Sequence, residues 1–161
     1  MSEENLFAAE DQVVDLSAAQ AEEPVDSQKF LIFMTDDLKL GVVAEYVVEI
    51  LNNQSITYLP MVPDFIRGII NMRGQIIPIV DIRLRLGKYP AENNLVIVLN
   101  VEGVFLGILV DAVDQMLDIA KAEILPVPVQ STQLLVSGMC SLPDGSGTMM
   151  VLDCAQLMPN D

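Results

Sequence analysis

The sequence predicts a mainly β fold built from two similar small units. Short β-branched runs alternate with turn signals along most of the chain, which is typical of small barrels or sandwiches. The pattern repeats after 66 residues, so that Phe30 aligns with Val96 and Leu40 with Leu106. Hydrophobic residues make up 52% of the chain and aromatic residues only 5%, so the core must be aliphatic. A unit of roughly 65 residues buries little surface alone, and we therefore expect the two units to share a core.

Residues 1–28 are predicted to be an acidic, disordered tail. They include eight acidic residues and no Lys or Arg, a composition that cannot bury enough apolar surface to fold. A short apolar stretch at residues 13–16 leaves a docking peptide as an alternative. The predicted domain spans residues 29–158, with one pseudo-repeat at about residues 29–90 and the other at about residues 94–158.

The first repeat opens with a predicted hairpin. Residues 29–34 form a strong strand, Asp36-Asp37 a turn, and residues 38–43 the partner strand. Residues 44–51 fit a helical turn followed by a strand. At the end of the repeat, Asp81 is a good N-cap for a short helix, and Asp153 occupies the matching place near the end of the second repeat.

A second hairpin, at residues 62–81, is the most structured stretch. Two Ile-rich runs flank Asn71-Met72-Arg73-Gly74, and a short polar segment with a glycine between such runs predicts a tight turn. The turn carries Arg73, a long cation. The corresponding stretch of the second repeat, residues 140–147, is longer and has no cation. We therefore expect the second repeat to lack the chemistry of this hairpin.

Recognisable catalytic chemistry is missing from the sequence. The chain has no histidine, so nucleophile–base pairs of the Ser-His or Cys-His type are excluded. No phosphate-binding glycine loop is present, and Cys140 and Cys154 fit buried thiols better than a zinc site or a disulfide. We expect no catalytic residue, no metal and no cofactor. A small carboxylate hydrolase is a distant alternative, although none of the acids stands out as one of a matched pair.

The net charge of −15 argues against nucleic acid and anionic membrane surfaces as partners. No apolar run approaches the roughly 20 residues of a membrane span, so no direct membrane insertion is expected. The first residues lack the basic start and apolar middle of a signal peptide. These features predict a cytoplasmic protein that acts by binding other proteins.

The second hairpin resembles the signature of the CheW-like domain. The matching positions include Pro63, Phe65, Gly68, Asn71, Arg73, Gly74, Pro78, Asp81 and Arg83. The resemblance extends over about residues 28–158. This domain occurs in the bacterial chemotaxis coupling protein and in the regulatory end of the chemotaxis histidine kinase.

The resemblance implies a fold of two intertwined five-stranded SH3-like β-barrels with a few short helices. It also implies a non-catalytic scaffold that couples the cytoplasmic tips of chemoreceptors to the regulatory domain of the chemotaxis histidine kinase. Each barrel would meet a different neighbour, and a groove between them would take the receptor helix. The alternative within the family is an adaptor of a non-chemotaxis kinase array, such as one for pilus motility.

The resemblance also assigns receptor- or kinase-binding roles to seven residues: Val47, Glu49, Phe65, Gly68, Asn71, Arg73 and Gly74. Glu49 and Arg73 are charged positions in apolar sequence, where a lone charge is costly, so we expect them to form an ion pair beside the receptor groove. The two glycines and the asparagine are expected to shape the turn. Three further arginines are expected to be solvated charges: Arg67, Arg83 and Arg85.

Overall fold

A computed structural model describes residues 26–127 and 135–157. Its strands are β1 (Ser27–Thr35), β2 (Leu38–Val43), β3 (Val47–Leu51), β4 (Ile66–Met72), β5 (Gln75–Asp81), β6 (Leu95–Val101), β7 (Val104–Val110), β8 (Ala112–Ala120), β9 (Leu125–Pro126), β10 (Val136–Ser141) and β11 (Thr148–Leu152). One short α-helix, α1, spans Ile82–Arg85, and single 3₁₀ turns lie at Ala44–Tyr46, Lys121–Glu123 and Cys154–Gln156. Over these ranges, no helix is long and apolar enough to cross a membrane.

The strands form two sheets that exchange hairpins between the repeats. One sheet has the order β8-β1-β2-β11-β10-β9, and the other has the order β3-β6-β7-β5-β4. The opening hairpin of each repeat therefore pairs with the later strands of the other repeat, through one parallel contact each, β2–β11 and β5–β7. The predicted pair of intertwined β units is confirmed.

The sheets differ in two details from the expected pair of closed five-stranded barrels. One sheet has a sixth, two-residue strand, β9, and across the part of the chain described neither sheet closes into a hydrogen-bonded ring. The six-stranded sheet ends at β8 and β9, and the five-stranded sheet ends at β3 and β4. Each sheet therefore keeps two edge strands, β8 and β9 in one and β3 and β4 in the other.

The opening strands of the repeats, β1 and β6, are buried on both faces. In β1, Leu31 and Phe33 pack into a core shared by both sheets, whereas Phe30 and Ile32 pack into a core of the six-stranded sheet alone. Strand β6 does the same between the shared core and a core of the five-stranded sheet. Burial on both faces explains why these strands are continuous apolar runs instead of alternating ones.

The first strand starts two residues earlier than the sequence suggested, at Ser27. Its start is held because the carbonyl oxygen of Asp26 accepts a hydrogen bond of 2.8 Å from the backbone N–H of Lys121. Residues 1–25 of the predicted acidic tail lie outside the described residues, and the disorder of that tail stays a prediction.

Both predicted aspartate caps are present. Asp81 accepts a hydrogen bond from the backbone N–H of Arg83 at the start of α1. Asp153 accepts one from the backbone N–H of Ala155 at the start of the last 3₁₀ turn. A carboxylate at this position satisfies an N–H that has no partner within the helix, so each repeat ends in the same local structure.

Candidate functional site

The tip of the β4–β5 hairpin is a two-residue turn formed by Arg73 and Gly74. Both residues have positive φ, 52° and 85°, and the flanking residues Met72 and Gln75 pair directly. Positive φ at both central positions is what a type I′ turn requires, and it is uncommon for a residue with a Cβ. The side-chain Oδ1 of Asn71 accepts a 2.9 Å hydrogen bond from the backbone N–H of Gly74, which fixes the turn.

The β6–β7 hairpin has the same turn with a different charge. Asn100 accepts a 2.8 Å hydrogen bond from Gly103, and Glu102 has a φ of 52°. The asparagine and glycine therefore serve the turn in both hairpins. The charged residue before the glycine differs: it is Arg73 in the β4–β5 hairpin and Glu102 in the β6–β7 hairpin.

The predicted ion pair between Glu49 and Arg73 is present. Arg73 Nη2 lies 2.8 Å from Glu49 Oε1. Glu49 lies on β3, and Arg73 directly follows β4. These strands are the two edges of the five-stranded sheet and are not hydrogen-bonded to each other, so the ion pair connects the two edges. The Arg73 side chain is 69% exposed and that of Glu49 is 31% exposed. An ion pair this exposed stabilises a protein by at most about 1 kcal/mol.

Three of the other predicted site residues, Val47, Phe65 and Gly68, lie outside the hairpin tip. Val47 and Phe65 are partly buried against the core shared by both sheets. Gly68 lies at the far end of the β4–β5 hairpin from its tip, where residue Thr57 crosses it and exchanges two backbone hydrogen bonds with Ile69. The structure therefore brings together Glu49, Asn71, Arg73 and Gly74, and it separates them from Phe65 and Gly68. Binding roles for all seven residues stay predictions.

Exposed aliphatic side chains lie on the strand and the hairpin that carry the ion pair, and they were not predicted from the sequence. Val48 and Ile50, which alternate with Glu49 on β3, are 44% and 42% exposed, and Ile76 beside the hairpin tip is 55% exposed. Successive side chains of a strand point to opposite faces. This alternation along β3 could have indicated that Val48 and Ile50 share an open face. Val48 and Ile50 therefore form an exposed aliphatic face of β3, opposite to the face that carries Glu49. Exposed aliphatic side chains on an edge strand are typical of a protein-binding surface.

The expectation that three arginines are solvated charges is wrong. Arg67 Nη1 lies 2.8 Å from a carboxylate oxygen of Asp81, whose side chain is fully buried. Arg83 Nη1 lies 2.8 Å from Asp111 Oδ2. Arg85 stacks over the ring of Phe65 at 4.7 Å from its centroid.

These arginines connect parts of the chain that are distant in sequence. Arg85 Nη1 donates a 2.6 Å hydrogen bond to the carbonyl oxygen of Leu157, and burial lowers the pKa of its guanidinium. Arg83 links α1 to Asp111, and the same Asp111 oxygen accepts a 2.6 Å hydrogen bond from the backbone N–H of Asp36 in the β1–β2 turn. Arg83 and Arg85 therefore fasten α1 to distant parts of the chain, and Arg67 joins β4 to the end of β5.

The cysteine thiols have the properties of buried apolar groups. Burial is the main cause that raises the pKa of Cys154 to about 12, with the nearby charge of Asp153 as a second cause. Burial also raises the pKa of Cys140. A thiolate is the reactive form, so neither thiol is prepared to act as a nucleophile at neutral pH. Within residues 26–127 and 135–157, no group of His, Cys, Asp or Glu side chains is arranged to hold a metal ion.

Comparison with known proteins identifies the family. A family model described as the CheW-like domain matches residues 29–161. Chemotaxis protein CheW of Klebsiella aerogenes is 32% identical over 138 residues, which cover 83% of each chain, and Protein FrzA of Myxococcus xanthus is 36% identical over 115 residues, which cover 70% of each. The crystal structure of scaffolding protein TtCheW from Thermoanaerobacter tengcongensis superposes with a TM-score of 0.71 at 30% identity, covering 78% of this chain and 88% of that one. The chain therefore belongs to the CheW-like family of chemotaxis scaffold proteins.

Proposed function

We propose that this protein couples the cytoplasmic tips of chemoreceptors to the regulatory domain of the chemotaxis histidine kinase. It acts in the cytoplasm, catalyses no reaction and needs no cofactor. The observation that carries the proposal is the Glu49–Arg73 ion pair, which holds the exposed tip of the β4–β5 hairpin against the edge strand β3. This surface is where we place the receptor contact.

The ion pair suits a binding role better than a stabilising one. Its exposure limits its contribution to folding to about 1 kcal/mol or less, and Arg73 adopts a backbone conformation that is unfavourable for a residue with a Cβ. An exposed arginine that is tethered at a hairpin tip is instead typical of an interface anchor. Glu49 holds the guanidinium in one orientation, so a partner meets an arginine that is already ordered.

A paired-carboxylate hydrolase finds no support in the geometry. Both carboxylate oxygens of the buried Asp81 are occupied: one accepts from the backbone N–H of Arg83, and the other from Arg67 and from the backbone N–H of Ala91. Asp111 is likewise paired with Arg83. A general acid or base needs an oxygen free to meet substrate, and Asp81 offers none.

The array in which the protein works has two candidates. Similarity to Chemotaxis protein CheW favours a chemotaxis array, whereas the comparable similarity to Protein FrzA keeps an adaptor of another kinase array as the alternative. Binding of this chain to the chemoreceptors and kinases encoded in the same genome, each tested separately, distinguishes the two arrays.

Arg73→Glu is expected to weaken binding of a receptor-tip fragment at least about tenfold, because buried arginine anchors contribute about 2 kcal/mol or more to an interface. The substitution also places two carboxylates side by side. Reversing the pair, with Glu49→Arg and Arg73→Glu together, is expected to restore part of the affinity. Isothermal titration calorimetry with the receptor fragment, and urea unfolding of each variant, measure both effects.

Lys29→Glu is the matched control for this experiment. Lys29 forms an exposed ion pair with Asp118 at 3.3 Å on the other sheet, so the substitution makes the same change in charge elsewhere. We expect it to leave receptor affinity within about twofold of wild type, because exposed ion pairs contribute little. Equal losses of receptor affinity in Lys29→Glu and Arg73→Glu would show that net charge, and not the ion pair, determines binding.

A further inference from the structure

Within residues 26–127 and 135–157, the chain crosses from one sheet to the other at two places. The first is the 3₁₀ turn Ala44–Tyr46, which leads from β2 of the six-stranded sheet to β3 of the five-stranded sheet. The second is Asp111, which leads from β7 of the five-stranded sheet to β8 of the six-stranded one. A change in the angle between two packed units is absorbed by the short segments that join them. These two junctions are therefore where such a change would occur.

The two junctions are equivalent positions of the sequence repeat. A shift of 66 residues places Glu45, in the first junction, on Asp111 in the second. The same shift places Asp36, in the β1–β2 turn, on Glu102 in the β6–β7 turn. Each junction thus has one acid of its own and one acid in the turn of the neighbouring hairpin.

The capped turn that ends each repeat also has its equivalent. Asp81 and Asp153 each accept a hydrogen bond from the backbone N–H two residues later. That residue is Arg83 in the first repeat and Ala155 in the second. Arg83 and Ala155 therefore occupy corresponding places, one beside each junction.

The Asp111 junction is fastened by ionic contacts that cross between the sheets. Arg83 Nη1 lies 2.8 Å from Asp111 Oδ2 and 3.7 Å from Asp36 Oδ1, and Lys88 Nζ lies 3.3 Å from Asp36 Oδ2. Asn93 Nδ2 also donates a 3.2 Å hydrogen bond to the carbonyl oxygen of Asp111. Arg83 follows the five-stranded sheet, whereas Asp36 lies in a turn of the six-stranded sheet. We call the four charged residues of this network the ionic latch.

The Ala44–Tyr46 junction has the acids of the latch without its cation. Among the residues that the structure describes, Glu45, Glu102 and Asp153 form no ion pair with a Lys or Arg side chain. Burial is the main cause that raises the pKa of Tyr46, and the charges of Glu102, Glu45 and Asp153 add to it. Like charges repel each other, so electrostatic forces oppose closure at this junction and favour it at the other.

We propose that the two sheets form a one-sided hinge, in which the ionic latch holds the Asp111 junction closed and the Ala44–Tyr46 junction opens. The core shared by both sheets keeps them joined, so the movement is a local opening at one side. The inference concerns the free protein and goes beyond the proposed function. Its failure would therefore leave that function untouched.

Residue-specific amide hydrogen exchange of the full chain, measured by NMR, tests the proposal. One reporter is the N–H of Asp111, which donates a 2.9 Å hydrogen bond to the carbonyl oxygen of Met34. The other is the N–H of Val47, which donates to the carbonyl oxygen of Ala44. We expect the protection factor of Val47 to be at least about tenfold lower, because an amide at an opening junction exchanges through local opening. Equal protection of the two amides would contradict a one-sided hinge.

Ala155→Arg supplies the cation that the open junction lacks. Ala155 is exposed, so a longer side chain has room. We expect the substitution to raise the protection factor of Val47 about threefold or more, the effect of one partly exposed ion pair, and to leave that of Asp111 within about twofold. Ala155→Leu is the matched control, which adds bulk without charge and should change neither amide. If the two variants protect Val47 equally, or Ala155→Arg has no effect, charge does not control the opening and the inference is wrong.

Arg83→Leu removes the centre of the ionic latch. We expect it to lower the protection factor of Asp111 about tenfold, in keeping with the loss of a hydrogen bond between charged groups. Arg83→Lys keeps the charge and should restore part of the protection. Unchanged protection of Asp111 in Arg83→Leu would contradict the latch. So would an equal loss of protection throughout β1 and β6, because it would show that the whole fold, and not the junction, has become less stable.

Discussion

Asp81→Ala is expected to lower the free energy of unfolding by about 3–5 kcal/mol, the usual cost of removing one partner of a buried ion pair. The Asp81 side chain is fully buried and accepts from Arg67, from the backbone N–H of Arg83 and from that of Ala91. Its loss leaves a guanidinium and two backbone donors without this acceptor, and removes the N-cap of α1. We expect the lower end of this range, because the Arg67 side chain is 34% exposed and water can solvate it.

Urea unfolding of wild type and variant, followed by circular dichroism, measures this difference. Asp118→Ala is the control, since Asp118 pairs with Lys29 at the surface and its removal should cost less than about 1 kcal/mol. Asp81→Asn keeps the shape and one acceptor oxygen, and it should fall between the two. A cost for Asp81→Ala no larger than that for Asp118→Ala would show that this buried network does not stabilise the fold.

Gly68→Ala is expected to destabilise the protein by about 3 kcal/mol, through backbone strain and lost hydrogen bonds. A Cβ at this position would lie 2.0 Å from the carbonyl oxygen of Thr57, and Gly68 has a φ of 146°. The obstacle is backbone, so no side-chain rotation can relieve it. Making room requires the segment around Thr57 to move, which breaks its 2.8 and 2.9 Å hydrogen bonds with Ile69.

Gly74→Ala separates the two causes. Gly74 also has a positive φ, but a Cβ there would meet no atom within 4 Å. The substitution should therefore cost only about 1 kcal/mol, the conformational penalty alone. Calorimetric melting of the two variants side by side gives the comparison, and equal losses of stability would mean that the crossing of Thr57 over Gly68 contributes nothing.

Much of the fold could be predicted from the sequence, because the relevant signals are local. The turn residues, the capping aspartates and the β-branched runs all appear within a few residues of the structure that they form. The repeat predicted two related units. It did not show that the hairpins exchange, because pairing between distant strands is not encoded in local pattern. The two-faced burial of β1 and β6 gives a physical reason for the exchange, since each strand contributes to two cores.

The candidate site could be predicted only where charge stood out against apolar sequence. Glu49 and Arg73 were paired because the family resemblance marks both positions and both are charged residues in apolar sequence, and they do form an ion pair. Arg85 was misjudged because its acceptor, the carbonyl of Leu157, lies 72 residues further along the chain.

In the function proposed above, one chain holds two different partners at the same time. Titration of the kinase regulatory domain into the protein, alone and then saturated with a receptor-tip fragment, tests whether both partners bind together, with sedimentation velocity to count the components. We predict that the kinase domain binds with undiminished affinity to the saturated protein, and that a complex of all three components sediments as one species. Mutual exclusion of the two partners, or failure of wild type to bind either, would contradict the account.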